Sequence, residues 1–240
     1  MNTQITRAGM LQRTGVVGRR RQRYSVWIPP GYHPDRSWPV ILFLHGSGER
    51  GADGVAPTTV GLGPALEQNP ERFPALVVFP QALRGLGWRG QMLDAACAAL
   101  EDVIDFYNGD TDRVYLTGVS IGGFGAIRLA LQGPHRFAAL VPVCGGVELP
   151  ETISVPTDAE PAATAAALLR QLPIWAFHGS EDPIIPVNES RSFVSALEHA
   201  HGNVRYTEFE GIGHDAWNRA YATPELATWL LAQRRISPTS

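Results

Sequence analysis

Apolar residues in this chain come in short runs separated by Gly- and Pro-rich turns, and the runs are of two kinds. Residues 23–28 alternate polar and apolar with period two and end at Pro29-Pro30-Gly31, which predicts a half-exposed strand closed by a turn. Val40-Ile41-Leu42-Phe43-Leu44 is apolar throughout, the pattern of a strand buried on both faces. Runs at 75–79, 114–116, 139–143 and 174–177 repeat that pattern, and 204–209 is the last strand candidate. Between them, residues 92–107, 121–131, 189–200 and 223–234 place apolar side chains three to four apart, as core-facing helices do. Thr223-Pro224-Glu225 offers an N-cap followed by proline at the first helical position. Buried strands alternating with helices specify an α/β architecture, a mostly parallel sheet with helices on both faces. One domain covering 1–240 is expected. Residues 150–173 interrupt the alternation with an Ala-, Thr- and Pro-rich stretch and a helix expected at 162–172. So short a cap-like insertion predicts a shallow, open site.

Composition narrows the function classes. With 44% hydrophobic and 18% charged residues the chain is an ordinary globular protein. A net charge of -3 supplies no field for nucleic acid or an anionic membrane, so neither is an expected partner. Arg19, Arg20, Arg21 and Arg23 read as a solvated strand edge leading into Tyr24, in preference to a basic arm. All 20 positive residues are arginine, which removes Schiff-base lysines, P-loop lysines and Ser-Lys dyads. Cys97 and Cys144 sit in apolar surroundings without metal-ligand spacing; free thiols, no metal and no cofactor are expected. Residues 1–18 lack the apolar core of a signal peptide, and no run approaches the roughly 18 to 20 apolar residues of a membrane span. A cytoplasmic monomer or homodimer is expected, with secretion left open.

The candidate chemistry centres on Gly118-Val119-Ser120-Ile121-Gly122, a G-x-S-x-G segment between a strand candidate and an amphipathic helix. A serine on such a sharp turn presents its hydroxyl, and the glycines give the neighbouring backbone room. Serine needs a base to become a nucleophile. Of seven histidines, His33, His135, His199 and His201 have ordinary turn or helix-end settings. His214 follows the last strand across Gly211-Ile212-Gly213, where a loop can overhang the sheet edge. The acid that orients it is expected at Asp182, just past the 174–177 strand, with Glu181 as near rival and Asp158 as remote one. Oxyanion donors are expected from the N–H of Ile121, after the serine, and of Ser47, in the glycine-rich loop after the 40–44 strand. His45 reads as a support of that loop. Trp88 and Trp217 are candidates for an aromatic pocket wall.

His45-Gly46-Ser47-Gly48-Glu49-Arg50-Gly51, the segment 112–125 around Ser120, Trp175-Ala176-Phe177-His178-Gly179 with Asp182-Pro183, and Gly213-His214-Asp215-Ala216-Trp217 together resemble one family. It is the predicted-peptidase and feruloyl-esterase-like branch of the α/β-hydrolases, related to the phospholipase/carboxylesterase and poly(3-hydroxybutyrate) depolymerase groups. Over roughly residues 24–235 the resemblance implies an α/β-hydrolase fold, a Ser120-Asp182-His214 triad, and Ser47 and Ile121 as oxyanion donors. Ile121 departs from the methionine or glutamine of many relatives, a change that a backbone donor tolerates. The expected activity is hydrolysis of a small-molecule or carbohydrate-linked ester, with a short or aromatic acyl group such as acetyl or feruloyl. Its rivals are a peptidase or amidase using the same triad, and a non-catalytic binding protein of this fold. The full complement of chemical groups argues against the second.

Overall fold

A computed structural model describes residues 8–17, 20–153 and 160–235. Arg19 and Asp158, both weighed above, lie outside them, as does part of the 150–173 insertion. An N-terminal hairpin, β1 (Gly9–Val17) and β2 (Arg20–Ile28), leads into β3 (Trp38–Leu44) and α1 (Leu62–Gln68). Then follow β4 (Leu76–Phe79), α2 (Gln91–Tyr107), β5 (Gly109–Val119), α3 (Ile121–Gln132) and β6 (Ala139–Val143). After α4 (Pro161–Leu169) come β7 (Ile174–Gly179), α5 (Asn188–His199), β8 (Val204–Phe209), α6 (Trp217–Ala222) and α7 (Pro224–Ala232).

The eight strands form one sheet in the order β1-β2-β4-β3-β5-β6-β7-β8. β2 is antiparallel to both its neighbours, and every pairing from β4 to β8 is parallel. Alternation along a strand divides the core into two layers. Val40, Leu42 and Leu44 of β3 join the cluster that packs on α2, α3, α4 and α5, whereas Ile41 and Phe43 join the one on α1, α6 and α7. The continuous apolar run in β3 thus has a simple cause: both faces are covered.

β1 is not legible in the hydrophobic pattern, because residues 9–15 offer only two large apolar side chains, adjacent Met10 and Leu11, which pack on opposite core layers and make no alternation. It is held by a nine-pair register with β2 and by Arg13. That guanidinium reaches Tyr24 Oη at 3.2 Å and Asp102 of α2 at 2.9 Å, and lies over the ring of Phe106. The arginine-rich stretch is, from Arg20 onward, the start of β2. α1 and α6 are also absent from the sequence reading, being too short to display a helical period. Thr223 precedes α7, but its hydroxyl donates to Arg219 O at 3.0 Å and caps nothing in α7. α4 ends at Leu169, earlier than expected, and buries Ala165, Ala166 and Leu169 in the layer that also holds α3 and α5. Both cysteines are free thiols. Among the described residues, no helix is long and apolar enough to cross a membrane.

Chain direction changes at β3. Its connection leads outward to β4, whereas β5, on its other side, leads on to β6. In open parallel sheets, the loops leaving the carboxyl ends of two such strands part and leave a crevice where ligands bind. Here those loops carry Ser47 and Ser120.

Candidate active site

Ser120 occupies the turn between β5 and α3 with φ 56° and ψ -123°, in the region that side chains rarely adopt. The turn is over-determined. The Ser120 N–H donates to Val143 O at 2.9 Å, and its carbonyl accepts from Gly123 N at 2.8 Å and Phe124 N at 3.3 Å. Gly118 and Gly122 allow this closeness: a Cβ on Gly122 would overlap the Leu44 carbonyl, and one on Gly118 would overlap that of Gly122.

The histidine and the acid come from adjoining loops. Ser180 N donates to Phe209 O at 3.0 Å, Glu181 N to Ile212 O at 3.0 Å, and Gly211 N to Ser180 Oγ at 2.9 Å, which ties the loop after β7 to the loop after β8. From this frame His214 Nε2 lies 2.9 Å from Ser120 Oγ, and its Nδ1 lies 2.7 Å from Asp182 Oδ2. The structure therefore brings Ser120, His214 and Asp182 into one hydrogen-bonded chain. Glu181, the near rival acid, is exposed. The Asp182 carboxylate is fully buried, and its Oδ1 accepts from Ile184 N and Ile185 N, both at 2.9 Å. Burial pushes its pKa up, but the donors of His214, Ile185 and Ile184 outweigh that, and the carboxyl is held below its ordinary value. An imidazole between a serine hydroxyl and such an anion is oriented to take the serine proton through Nε2. The His214 ring meets Trp217 edge-on at 5.3 Å. Beneath it, Cys144 donates its S–H to His214 O at 3.3 Å, and burial raises this thiol's pKa to about 12.

Ser47 is exposed at the mouth of the β3 loop, and Ile121 opens α3. The first N–H groups of a helix have no partner within it, so the Ile121 N–H is available to an anion. The β3 loop is braced from behind. His45 is completely buried, receives the Ala82 N–H at Nε2 (2.9 Å), and donates Nδ1–H to Gly46 O (2.6 Å). Gln81 accepts from Gly54 N at 2.7 Å and donates to Glu49 O at 2.8 Å, a brace that sequence reading passed over. Trp88 belongs to this support. It is 3% exposed, donates its indole N–H to His45 O at 2.9 Å and packs against Gly125. Burial thus takes Trp88 out of the pocket wall expected for it, while Trp217 stays partly exposed beside His214.

Desolvation lowers the His45 pKa to about 4, against an ordinary value near 6.5. Between about pH 6.5 and 4 the unfolded chain binds a proton at this residue that the folded chain refuses. Stability therefore falls as pH drops through that window, by an upper figure of about 3 kcal/mol, and this contribution levels off below it. Urea titrations at a series of pH values are expected to show this decline, and His45→Gln, which cannot titrate, is expected to flatten it. Equal slopes in the two proteins would exclude His45 as the source.

Cys144, His178 and Asp182 place potential metal-ligand atoms within 4.8 Å of one another. His178 Nε2 and the Asp182 oxygens are, however, already engaged in hydrogen bonds within the protein.

Sheet order, covering helices and the serine at the β5 turn make this an α/β-hydrolase. Residues 91–223 match the phospholipase/carboxylesterase family model, and the chain belongs to that family. Poly(3-hydroxyoctanoate) depolymerase of Pseudomonas fluorescens is 28% identical over 221 residues, which are 84% of this chain and 76% of the depolymerase. Acyl-protein thioesterase 1 of Gibberella zeae is 28% identical over 108 residues, 44% of this chain and 42% of the thioesterase. A thermostable esterase of known structure superposes with a TM-score of 0.82 at 29% identity, over 94% of this chain and 63% of that one. The chain thus spans less than two thirds of the thioesterase and of the esterase.

Proposed function

We propose that this protein is a serine carboxylic ester hydrolase in which Ser120 is the nucleophile, His214 the general base and Asp182 its orienting acid. The observation that carries this reading is the unbroken chain from Ser120 Oγ to His214 Nε2 and from His214 Nδ1 to Asp182 Oδ2. His214 takes the Ser120 proton as Oγ attacks the ester carbonyl. The N–H groups of Ser47 and Ile121 receive the negative charge that develops on the carbonyl oxygen. The tetrahedral intermediate collapses as His214 passes the proton to the departing alcohol, leaving an acyl group on Ser120. Water, deprotonated by His214, then releases the acid.

The substrate class is a small-molecule or carbohydrate-linked ester with a short or aromatic acyl group. Support comes from the partly exposed Trp217 beside His214 and from the position of α4, which packs in the helical layer. A thioester would pass through the same acyl-enzyme.

Mixing the protein with p-nitrophenyl acetate on the millisecond scale is expected to release a burst of about one p-nitrophenol per chain before steady turnover, provided deacylation is the slower step. Quenched digests should carry the acetyl group on the peptide that contains Ser120. Steady-state rates on p-nitrophenyl butyrate, methyl ferulate and an acetyl thioester then rank the acyl and leaving groups. An acetyl group found on another residue, or no turnover of any of these, would exclude the proposal.

A further inference from the structure

His178 lies at the end of β7, four residues before Asp182, completely buried, and no step above uses it. Its Nε2 faces two acceptors, Asp182 Oδ2 at 3.1 Å and Ile185 O at 3.0 Å, so this nitrogen carries a proton. Its Nδ1 lies 2.7 Å from Ser190 Oγ, and Ser190 is also 3.1 Å from Gly145 O. The single Ser190 proton has two places to go. Donated to Nδ1, it leaves His178 neutral; donated to Gly145 O, it requires a proton on Nδ1 and a charged ring. Both arrangements leave Nε2 donating to Asp182.

Oδ2 of Asp182 thus serves two imidazoles, His214 at 2.7 Å and His178 at 3.1 Å. Negative charge satisfied by one is withdrawn from the other. We infer that His178 is a positioning residue that fixes the Asp182 carboxylate and, through it, moderates the basicity of His214. The inference rests on the proposed roles of Ser120, His214 and Asp182. Other ionisable groups around this pair are few. Cys144, at the end of β6, stands beneath His214, and Asp215 follows it in the chain. Glu208, opposite His178 on β8, is engaged by Arg191 at 2.9 Å and Tyr206 at 2.7 Å. Asp215 and Glu208 make no hydrogen bond to Asp182 among the contacts of the described residues, whereas the Cys144 thiol is shared between His214 O and the Asp182 carboxylate, and it is present alike in wild type and in every His178 variant.

The test is the pH dependence of kcat/KM for p-nitrophenyl acetate, from about pH 5 to 9, in wild type, His178→Leu, His178→Gln and Ser190→Ala. His178→Leu fills the space but removes the donor, so Asp182 bears wholly on His214 and holds its proton more tightly. The acidic limb is expected to move to higher pH by about half to one pH unit, with kcat lowered about tenfold and KM within about twofold. His178→Gln, whose amide can donate to Oδ2, is expected to bring the limb back toward wild type. If His178→Leu does not fold, Ser190→Ala carries the test: without Ser190 the ring is a weaker donor, and a smaller shift in the same direction is expected. A folded His178→Leu (or, failing it, Ser190→Ala) whose profile superimposes on wild type, while Ser120→Ala is inactive, overturns the role of His178 alone. Retained turnover in Ser120→Ala overturns the proposed function and this inference with it.

Discussion

Ser120→Ala is expected to lower kcat/KM for p-nitrophenyl acetate by about 10³-fold or more, which is about 4 kcal/mol of transition-state stabilisation. The change removes one hydroxyl and nothing else. Alanine keeps the Cβ, so the strain of φ 56° is the same in both proteins, and the bonds of the turn to Val143 O, Gly123 N and Phe124 N use backbone atoms only. Thermal unfolding followed by circular dichroism is therefore expected to coincide with wild type within a few degrees. Any residual rate above water is expected from the proposed oxyanion donors, the N–H groups of Ser47 and Ile121. A folded Ser120→Ala protein with wild-type turnover would remove the nucleophile from the proposal.

Gly122→Ala is expected to unfold the protein at lower temperature and to abolish the site together. A single methyl at this position would overlap the Leu44 carbonyl and stand 2.6 Å from His45 O, and both are backbone atoms of β3 and its loop. Backbone gives way only by moving a strand end, which would also disturb the His45 bonds to Ala82 and Gly46. The expected cost is about 3 kcal/mol, or about 6–12 °C in Tm for a chain of this length. Calorimetry measures it directly. An unchanged Tm would mean that the turn has room which the Gly122 to Leu44 approach denies.

The two substitutions share one turn but probe different levels of structure, and the difference bears on what a sequence can reveal. Strands buried on both faces, such as β3, announce themselves as continuous apolar runs because every position meets a helix layer. α2 shows its period because one face meets the sheet while the other is exposed. β1 stays hidden because it is held by backbone pairing with β2, which needs no hydrophobic pattern, and by contacts of Arg13 with Asp102 and Phe106, which are remote in sequence. Trp88 invited a reading as pocket wall since its composition and neighbourhood are those of a binding loop. Only packing turns it inward, to brace His45.

By itself the sequence determined the alternation of strand and helix, the serine on a strand-to-helix turn, and the candidate histidine in the loop after the last strand. Each of these is written in spacings of a few residues. Asp182, preferred in the sequence with Glu181 as near rival, meets His214 only through the tertiary structure, which alone brings His178 to Asp182 as well. His214 lies 94 residues from Ser120 and 32 from Asp182, so their meeting depends on which strands lie side by side. Adjacent acids in one loop differ only in which is buried and which finds donors. The order β3-β5-β6-β7-β8 carries the carboxyl ends of β5, β7 and β8 to one edge of the sheet, and there the burial of Asp182 and its Ile184 and Ile185 donors separate it from exposed Glu181.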